Sequence, residues 1–266
     1  VPLLPAVPPK KLIPRVDFDL KHYRKMIASH GQRLTWEMAA ECPCFTLATV
    51  QGRAGQGRER RNDCAACSGS GVIYHSSQEI RGIVTGAAAN PDRFRLFGEY
   101  ASGMISVGLL PEHLPALFDR FTMLDSVLAF RETRVREAVQ EAPRYPIVTR
   151  SLSLDDGNGN GVATDVDVLY CRTANTDGTV GAELVRDTDF AVDSQGRIDW
   201  TLGDGLGTAP ALGDRFAVSY FAHPVYVVRE HPHAYRDTWV GTKLPTGPQH
   251  TAMPVNAACW LEFMGG

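Results

Sequence analysis

Between Gly71 and about Arg136 the apolar residues come in short runs broken by Gly, Pro and Asp. The runs are Val72 to Tyr74, Glu79 to Thr85, Arg93 to Phe97, Gly103 to Leu109, Phe121 to Leu124 and Val127 to Arg131. Short runs rich in β-branched and aromatic residues and bounded by turn formers predict strands. Pro111-Glu-His-Leu-Pro115 reads as a turn between two of them, and five or six such strands suffice to close a small barrel. After Arg144-Tyr-Pro-Ile147 a second strand-rich stretch begins: Val148 to Leu154, Ala163 to Cys171, Glu183 to Leu184, Phe190 to Val192, Arg197 to Trp200, Arg215 to Phe221 and Tyr226 to Glu230. A strand every roughly 8 to 15 residues, with turn signals between, predicts a sandwich-like or barrel-like insertion. From His231 to Gly266 the chain is expected to return to the first unit, with Leu244-Pro, Met253-Pro-Val-Asn and Trp260 to Met264 as closing edge strands.

A helical period occurs only near the N-terminus. Asp17 or Asp19 can cap a helix in which Leu20, Tyr23 and Ile27 recur at spacings of three and four, ending near His30-Gly31. A short second helix over Leu34 to Ala40 is expected to deliver the chain to Cys42. Residues 1 to 14, VPLLPAVPPKKLIP, hold five prolines and predict an extended arm, lying on its own domain or on a neighbouring subunit. The chain thus divides into an arm (1–16), a helical segment (17–40), a cysteine-bounded loop (41–75), a β-barrel core (76–147 and 231–266) and a β-rich insertion (148–230). The predicted fold class is mainly β.

Composition narrows the function classes. In 266 residues, 27 Lys+Arg face 30 Asp+Glu, a net charge of −3, which excludes a generally basic nucleic-acid coat protein. No run reaches the roughly 18 to 20 apolar residues of a membrane span. No basic segment followed by an apolar stretch opens the chain, so a soluble protein not secreted by a signal peptide is expected.

The cysteines change the picture most. Cys42 and Cys44 flank a proline, and Cys64 and Cys67 form a C-x-x-C turn after the 19 residues 45 to 63; Cys171 and Cys259 stand apart. Four thiolates from two such turns satisfy tetrahedral zinc at about 2.3 Å each. Gly69 and Gly71 let the backbone turn tightly and aim N–H groups at sulfur. Two disulfides, or four unremarkable thiols, are the alternatives, the disulfides disfavoured by a reducing compartment of synthesis. Four cysteines close the metal shell, whereas catalytic zinc keeps an open position, so the expected role is structural. The metal would clip the polar, Gly-rich segment Gln51 to Asn62, which cannot build a core of its own. A redox C-x-x-C lacks the βαβ pattern that such motifs occupy. The string Cys64-Ala-Ala-Cys67-Ser-Gly69-Ser-Gly71 resembles one zinc repeat of the DnaJ chaperone family, whose other repeats and His-Pro-Asp tripeptide are absent from the sequence.

Other candidates are weaker. Asp156, Asn158, Asn160, Gly161 and Asp167 fall at EF-hand-like positions, but strand patterns flank them, which favours a hairpin loop over a calcium site. His231, His233 and Asp237, with His223 and His250, offer metal-site or acid-base chemistry, the basis of a metal-dependent hydrolase reading. No nucleophile motif, H-E-x-x-H or phosphate loop accompanies them, so the chain is expected not to be an enzyme. Arg53, Arg58, Arg60 and Arg61 make a modest basic finger with no aromatic residue to stack bases, a candidate contact for a partner or for DNA. Trp200, Trp239 and Trp260 lie in strand settings and read as core.

Three segments together resemble tailed-bacteriophage neck proteins, the head-to-tail connectors or stoppers: Glu41 to Cys44 with Cys64 to Tyr74; Leu114 to Ser126, LPALFDRFTMLDS; and Ala211 to Val228 with His231-Pro-His233 and Arg236. The resemblance spans roughly residues 35 to 135 and 190 to 260. It implies a small SH3-like β-barrel core and a structural zinc at Cys42, Cys44, Cys64 and Cys67. It also implies a homo-oligomeric ring in the virion between the portal-side adaptor and the tail, with double-stranded DNA passing through it without sequence-specific binding. Simple stoppers are smaller, so a tail-terminator or baseplate protein is the nearer alternative, and a cytosolic zinc-binding chaperone or adaptor module the more distant one.

Overall fold

The computed structural model describes residues 19–44, 46–50, 53–59, 64–67, 70–86, 103–155, 161–174, 180–230, 237–240 and 249–262. The chain is mainly β and divides into two compact units, one of residues 1–121 with 226–266 and the other of residues 122–225. The arm at 1–14, the run Arg93 to Phe97 and Leu244-Pro lie outside the described residues. No helix among the described residues is long and apolar enough to cross a membrane.

Helix α1, Leu20–His30, starts where the sequence places it. The Asp19 carboxylate accepts from the N–H groups of Lys21 at 2.9 Å and His22 at 3.3 Å, and the helix stops when the Gly31 N–H donates to Ile27 O at 2.8 Å. A Cβ at Gly31 would lie 2.4 Å from that same oxygen, so a side chain is excluded at the stop.

The expected second helix over Leu34 to Ala40 is instead strand β1, Gln32–Glu41. It pairs antiparallel with β4, Val72–Gly86, from Gln32↔Gly82 to Glu41↔Val72. Leu34 and Trp36 are buried with Thr35 between them, a period of two that seven residues of sequence cannot distinguish from a helical turn. The pairing partner decides it. Between Trp36 and Met38 the register shifts, and Ser76 opposite takes φ of 53° to accommodate the bulge.

Six strands close a barrel in the order β1, β4, β5 (Met104–Leu109), β19 (Val255–Leu261), β16 (Val225–Glu230) and β6 (Arg120–Met123). Leu34, Val107, Leu109, Phe121, Ala257 and Cys259 are fully buried. Gly82 leaves the space that Leu34 and Leu109 fill: a Cβ there would meet Leu109 Cδ2 at 2.9 Å and Leu34 Cδ1 at 3.0 Å. One buried carboxylate ties the first unit together. Asp119 accepts from Trp36 Nε1, Ala39 N and Ala116 N, each at 2.8 Å, so it joins both sides of the β1 bulge to the loop entering β6.

In the second unit β7 (Leu128–Val135), β15 (Arg215–Ala222), β11 (Val168–Ala174) and β12 (Val180–Leu184) form one sheet, and β8 (Gln140–Glu141), β14 (Ile198–Asp199) and β13 (Ala191–Val192) another. The strand around 127–131, expected in the barrel core, belongs here because β7 pairs along its whole length with β15, from Leu128↔Ala222 to Val135↔Arg215. The run Ala163 to Cys171 is two strands, β10 (Gly161–Val166) and β11, parted by buried Asp167, whose carboxylate meets Arg186 at 2.8 Å. A short helix α2, Thr201–Leu206, was not foreseen, because its two glycines argue against helix. Trp200, fully buried, packs its ring centroid 5.1 Å from Phe216 and 5.6 Å from Phe190. Buried Arg136 holds α2 by a bidentate pair with Asp204, at 2.8 and 2.6 Å, and donates to Pro210 O. Three hairpins stand as separate two-stranded sheets: β2 (Thr46–Val50) with β3 (Arg53–Glu59), β9 (Arg150–Asp155) with β10, and β17 (Asp237–Val240) with β18 (Gln249–Ala252).

Replacing Asp119 by Ala strands three donors, the buried Trp36 Nε1 and the less buried N–H groups of Ala39 and Ala116, and should cost about 2 to 4 kcal/mol, read as the midpoint of urea denaturation; a loss below about 1 kcal/mol would show that the carboxylate is not the tie. Acid should weaken the second unit. Arg136 holds the Asp204 carboxyl below its ordinary 3.8, and the Thr208 and Thr201 hydroxyls and the Arg197 N–H do the same for Asp189, Asp199 and Asp193. A carboxyl lowered by folding stabilises above its unfolded value and loses that contribution as pH falls through its folded value. Denaturation midpoints should therefore hold from about pH 7 to 5 and fall below about pH 4, and Asp204→Asn should be weaker at neutral pH yet lose less on acidification. An unchanged acid dependence in that variant would remove Asp204 from the account.

Candidate metal centre

The centre is built on the paired ends of β1 and β4. Glu41 pairs with Val72, and the next residue, Cys42, donates its N–H to Gly71 O at 2.9 Å, so the barrel ladder runs directly into the cysteines. Beyond Cys42, Pro43 and Cys44 turn the chain into β2; on the return, Cys64 to Cys67 form a second turn. Ser70 fastens that turn: its N–H donates to Cys67 O at 2.8 Å and its hydroxyl reaches Cys67 O at 2.6 Å and Val72 O at 3.0 Å. Gly71 supplies φ of 76°, the left-handed conformation a glycine adopts without strain, and this bends the chain back into β4.

The four sulfurs converge. Cys42 Sγ lies 3.8 Å from Cys64 Sγ, Cys44 Sγ lies 3.6 Å from Cys67 Sγ, and all four sulfurs are within 4.8 Å of one another. Four sulfurs at about 2.3 Å from one ion, at the corners of a tetrahedron, stand about 3.8 Å apart. The residues therefore fit a tetrahedral metal ion, and all six cysteines of the chain are free thiols. Cys42 and Cys67 are buried and Cys44 and Cys64 half-buried, so the centre has an inner and an outer edge.

Backbone donors favour the thiolate a metal requires. Burial opposes ionisation of Cys67, but the Gly71 N–H and the neighbouring Cys44, Cys64 and Cys42 thiols outweigh it and lower the thiol from 9.0 to about 7. At Cys42 the Cys44 N–H favours the thiolate, while burial and the proton relations with Cys67 and Cys64 push the other way and leave the thiol raised. One buried sulfur is thus ready to ionise near neutral pH, and a cation at the centre would draw the protons from the rest.

The excursion that the cysteines close carries β2 and β3, paired from Thr46↔Glu59 to Val50↔Arg53. Arg53 and Arg58 lie on β3, where the backbone alone is described, and Arg60 and Arg61 lie outside the described residues, as does Gly69. Ser70 was missed by sequence reasoning, which attended to the glycines on either side of it. The remaining candidates do not assemble. Asp156, Asn158 and Asn160 lie outside the described residues, in the loop that Asp155↔Gly161 closes, and the Asp167 carboxylate is held by Arg186. His231 and His233 lie outside them too; Asp237 and His250 are placed by backbone on β17 and β18, and His223 Nδ1 sits 2.8 Å from Ser126 O. Among the described residues, the four cysteines are the one cluster able to hold a metal ion. Among known proteins, no family model matches the chain and no curated protein matches it.

Cobalt(II) added to the metal-free protein should produce an intense thiolate charge-transfer band at one ion per chain, with release of protons. Cys64→Ser and Cys67→Ser should each weaken binding by at least about 100-fold, beyond what loss of an outer-shell partner does. Full binding in either variant would show that the four sulfurs do not act as one centre.

Proposed function

We propose that this chain is a non-enzymatic structural protein of a tailed-phage virion. In this reading it forms a ring in the head-to-tail connector, between the portal-side adaptor and the tail, with a structural zinc at Cys42, Cys44, Cys64 and Cys67. The convergence of four sulfurs at tetrahedral spacing carries the zinc assignment. A closed shell of four thiolates leaves no position for substrate or water, and among divalent ions tetrahedral sulfur suits zinc best. The position in the virion is supported by the likeness of Glu41 to Cys44, Cys64 to Tyr74, Leu114 to Ser126 and Ala211 to Val228 to phage neck proteins.

The mechanism is assembly. Zinc welds the 19-residue excursion 45–63 to the end of the barrel, so the β2–β3 hairpin, which two strands alone would hold only marginally, keeps one direction. The hairpin with Arg53, Arg58, Arg60 and Arg61 and the proline-rich arm then meet neighbouring copies round the ring, where each interface is heterologous and repeats until it closes. Duplex DNA passes through the ring without sequence-specific contact.

Elemental analysis and native mass on one preparation test the reading. About one zinc per chain in a closed multi-subunit ring is expected. A metal-free protein would overturn the zinc assignment. A zinc-bound monomer that captures unfolded chains would replace the virion role by that of a chaperone module, and hydrolytic activity abolished by chelation would overturn the non-enzymatic assignment.

A further inference from the structure

The second unit has a charged face that the reading above does not use. Its four-stranded sheet turns Phe130, Phe216, Val218, Tyr220, Cys171 and Leu184 into the core. Alternation therefore places the intervening residues on the opposite face. Strand register sorts them into rows: Val135, Arg215 and Ala174; then Thr133, Ala217, Arg172 and Glu183; then Arg131, Ser219 and Tyr170; then Ala129 and Phe221. Arg150 reaches the last row, its guanidinium carbon 5.5 Å from the Phe221 ring centroid. Arg131, Arg150, Arg215 and Tyr170 are exposed, so this face is open.

Among the described residues four arginines thus share a face with one acid, Glu183, whose carboxylate Arg172 already holds at 3.1 Å. Rows two residues apart along a strand are about 6.8 Å apart, and neighbouring strands about 4.8 Å. Arg215, Arg172, Arg131 and Arg150 consequently form a staggered stripe about 20 Å long that follows β15, with Arg172 and Arg131 on opposite sides of it. In the middle of the stripe, between Arg131 and Tyr170, the Ser219 hydroxyl is fully buried and has no hydrogen-bond partner. With no accessible surface, that hydroxyl does not reach a ligand, and the face is presented by the guanidinium groups.

We propose that this face binds the phosphate backbone of duplex DNA, weakly and without reading sequence. The charge imbalance calls for a polyanion, and the guanidinium fork matches phosphate oxygens. Among the described residues no groove-entering element or ring of stacking aromatics accompanies the stripe, so the contact positions the duplex and carries no base readout. The identity of the polyanion as duplex DNA rests on the virion reading; the anion-binding character of the face does not.

The test is fluorescence anisotropy of the full-length, metal-loaded protein with a random-sequence duplex across a salt series. With three or four phosphates neutralised, log K against log salt should fall with a slope of about −2.7 to −3.6, equally for unrelated sequences. Arg131→Ala and Arg215→Ala should each reduce the slope magnitude by about 0.9, Arg131→Lys should restore it, and Lys21→Ala, in the other unit, should leave it unchanged. Circular dichroism and denaturation midpoints of the same variants guard against misfolding. Absence of binding at about 50 mM salt, slopes unaffected by the arginine variants, or preference for polyglutamate over DNA would each overturn the proposal. A closed zinc-bearing ring that fails these tests removes this face alone, and a metal-free monomer that passes them removes the virion reading alone.

Discussion

The pairing of β1 with β4 is the constraint on which the first unit depends. It closes two neighbouring positions of the barrel, brings Leu34 against the space at Gly82, and creates the bulge whose flanks, Trp36 and Ala39, Asp119 ties to the loop entering β6. The same ladder ends at Glu41↔Val72, and that ending puts Cys42 beside Gly71. Two short turns separated by 19 residues could otherwise wander apart; here they start from atoms already hydrogen-bonded to each other. The sulfurs therefore meet at tetrahedral spacing because a sheet has been zipped to its last pair.

The second unit solves a different problem. Its core centres on Trp200 with Phe190 and Phe216, and buried Arg136 fastens the short helix α2 that the local sequence would not form unaided. The long pairing of β7 with β15 does more than complete a sheet. It assigns one face to the core and places Arg131 and Arg215 together on the other, because alternation on a strand leaves no third choice. A structural consequence of packing thus becomes a chemical surface.

A division of labour follows. The four cysteines can hold an ion with all four sulfurs, whereas the sheet face presents charged side chains to solvent.

The sequence by itself determined the strand-rich character, a helix capped by Asp17 or Asp19, and the four-cysteine cluster, and the structure chose Asp19 as the cap. Each depends on residues close together in the chain or on ligand types that few other arrangements use. It could not determine that Leu34 to Ala40 is a strand, since Leu34, Trp36 and Met38 fit a period of two while Leu34 and Met38 with Ala39 and Ala40 also suit a helical turn until a partner is present. It assigned the strand around 127–131 to the wrong unit because the partner of β7 lies more than 80 residues further on, and a single sequence carries no record of such pairing. The helix at Thr201–Leu206, the Ser70 brace and the arginine stripe belong to the tertiary structure for the same reason. Their determinants, Arg136 against Asp204, the turn at Gly71 and the register across three strands, are long-range contacts or conformations that exist only once the chain has folded.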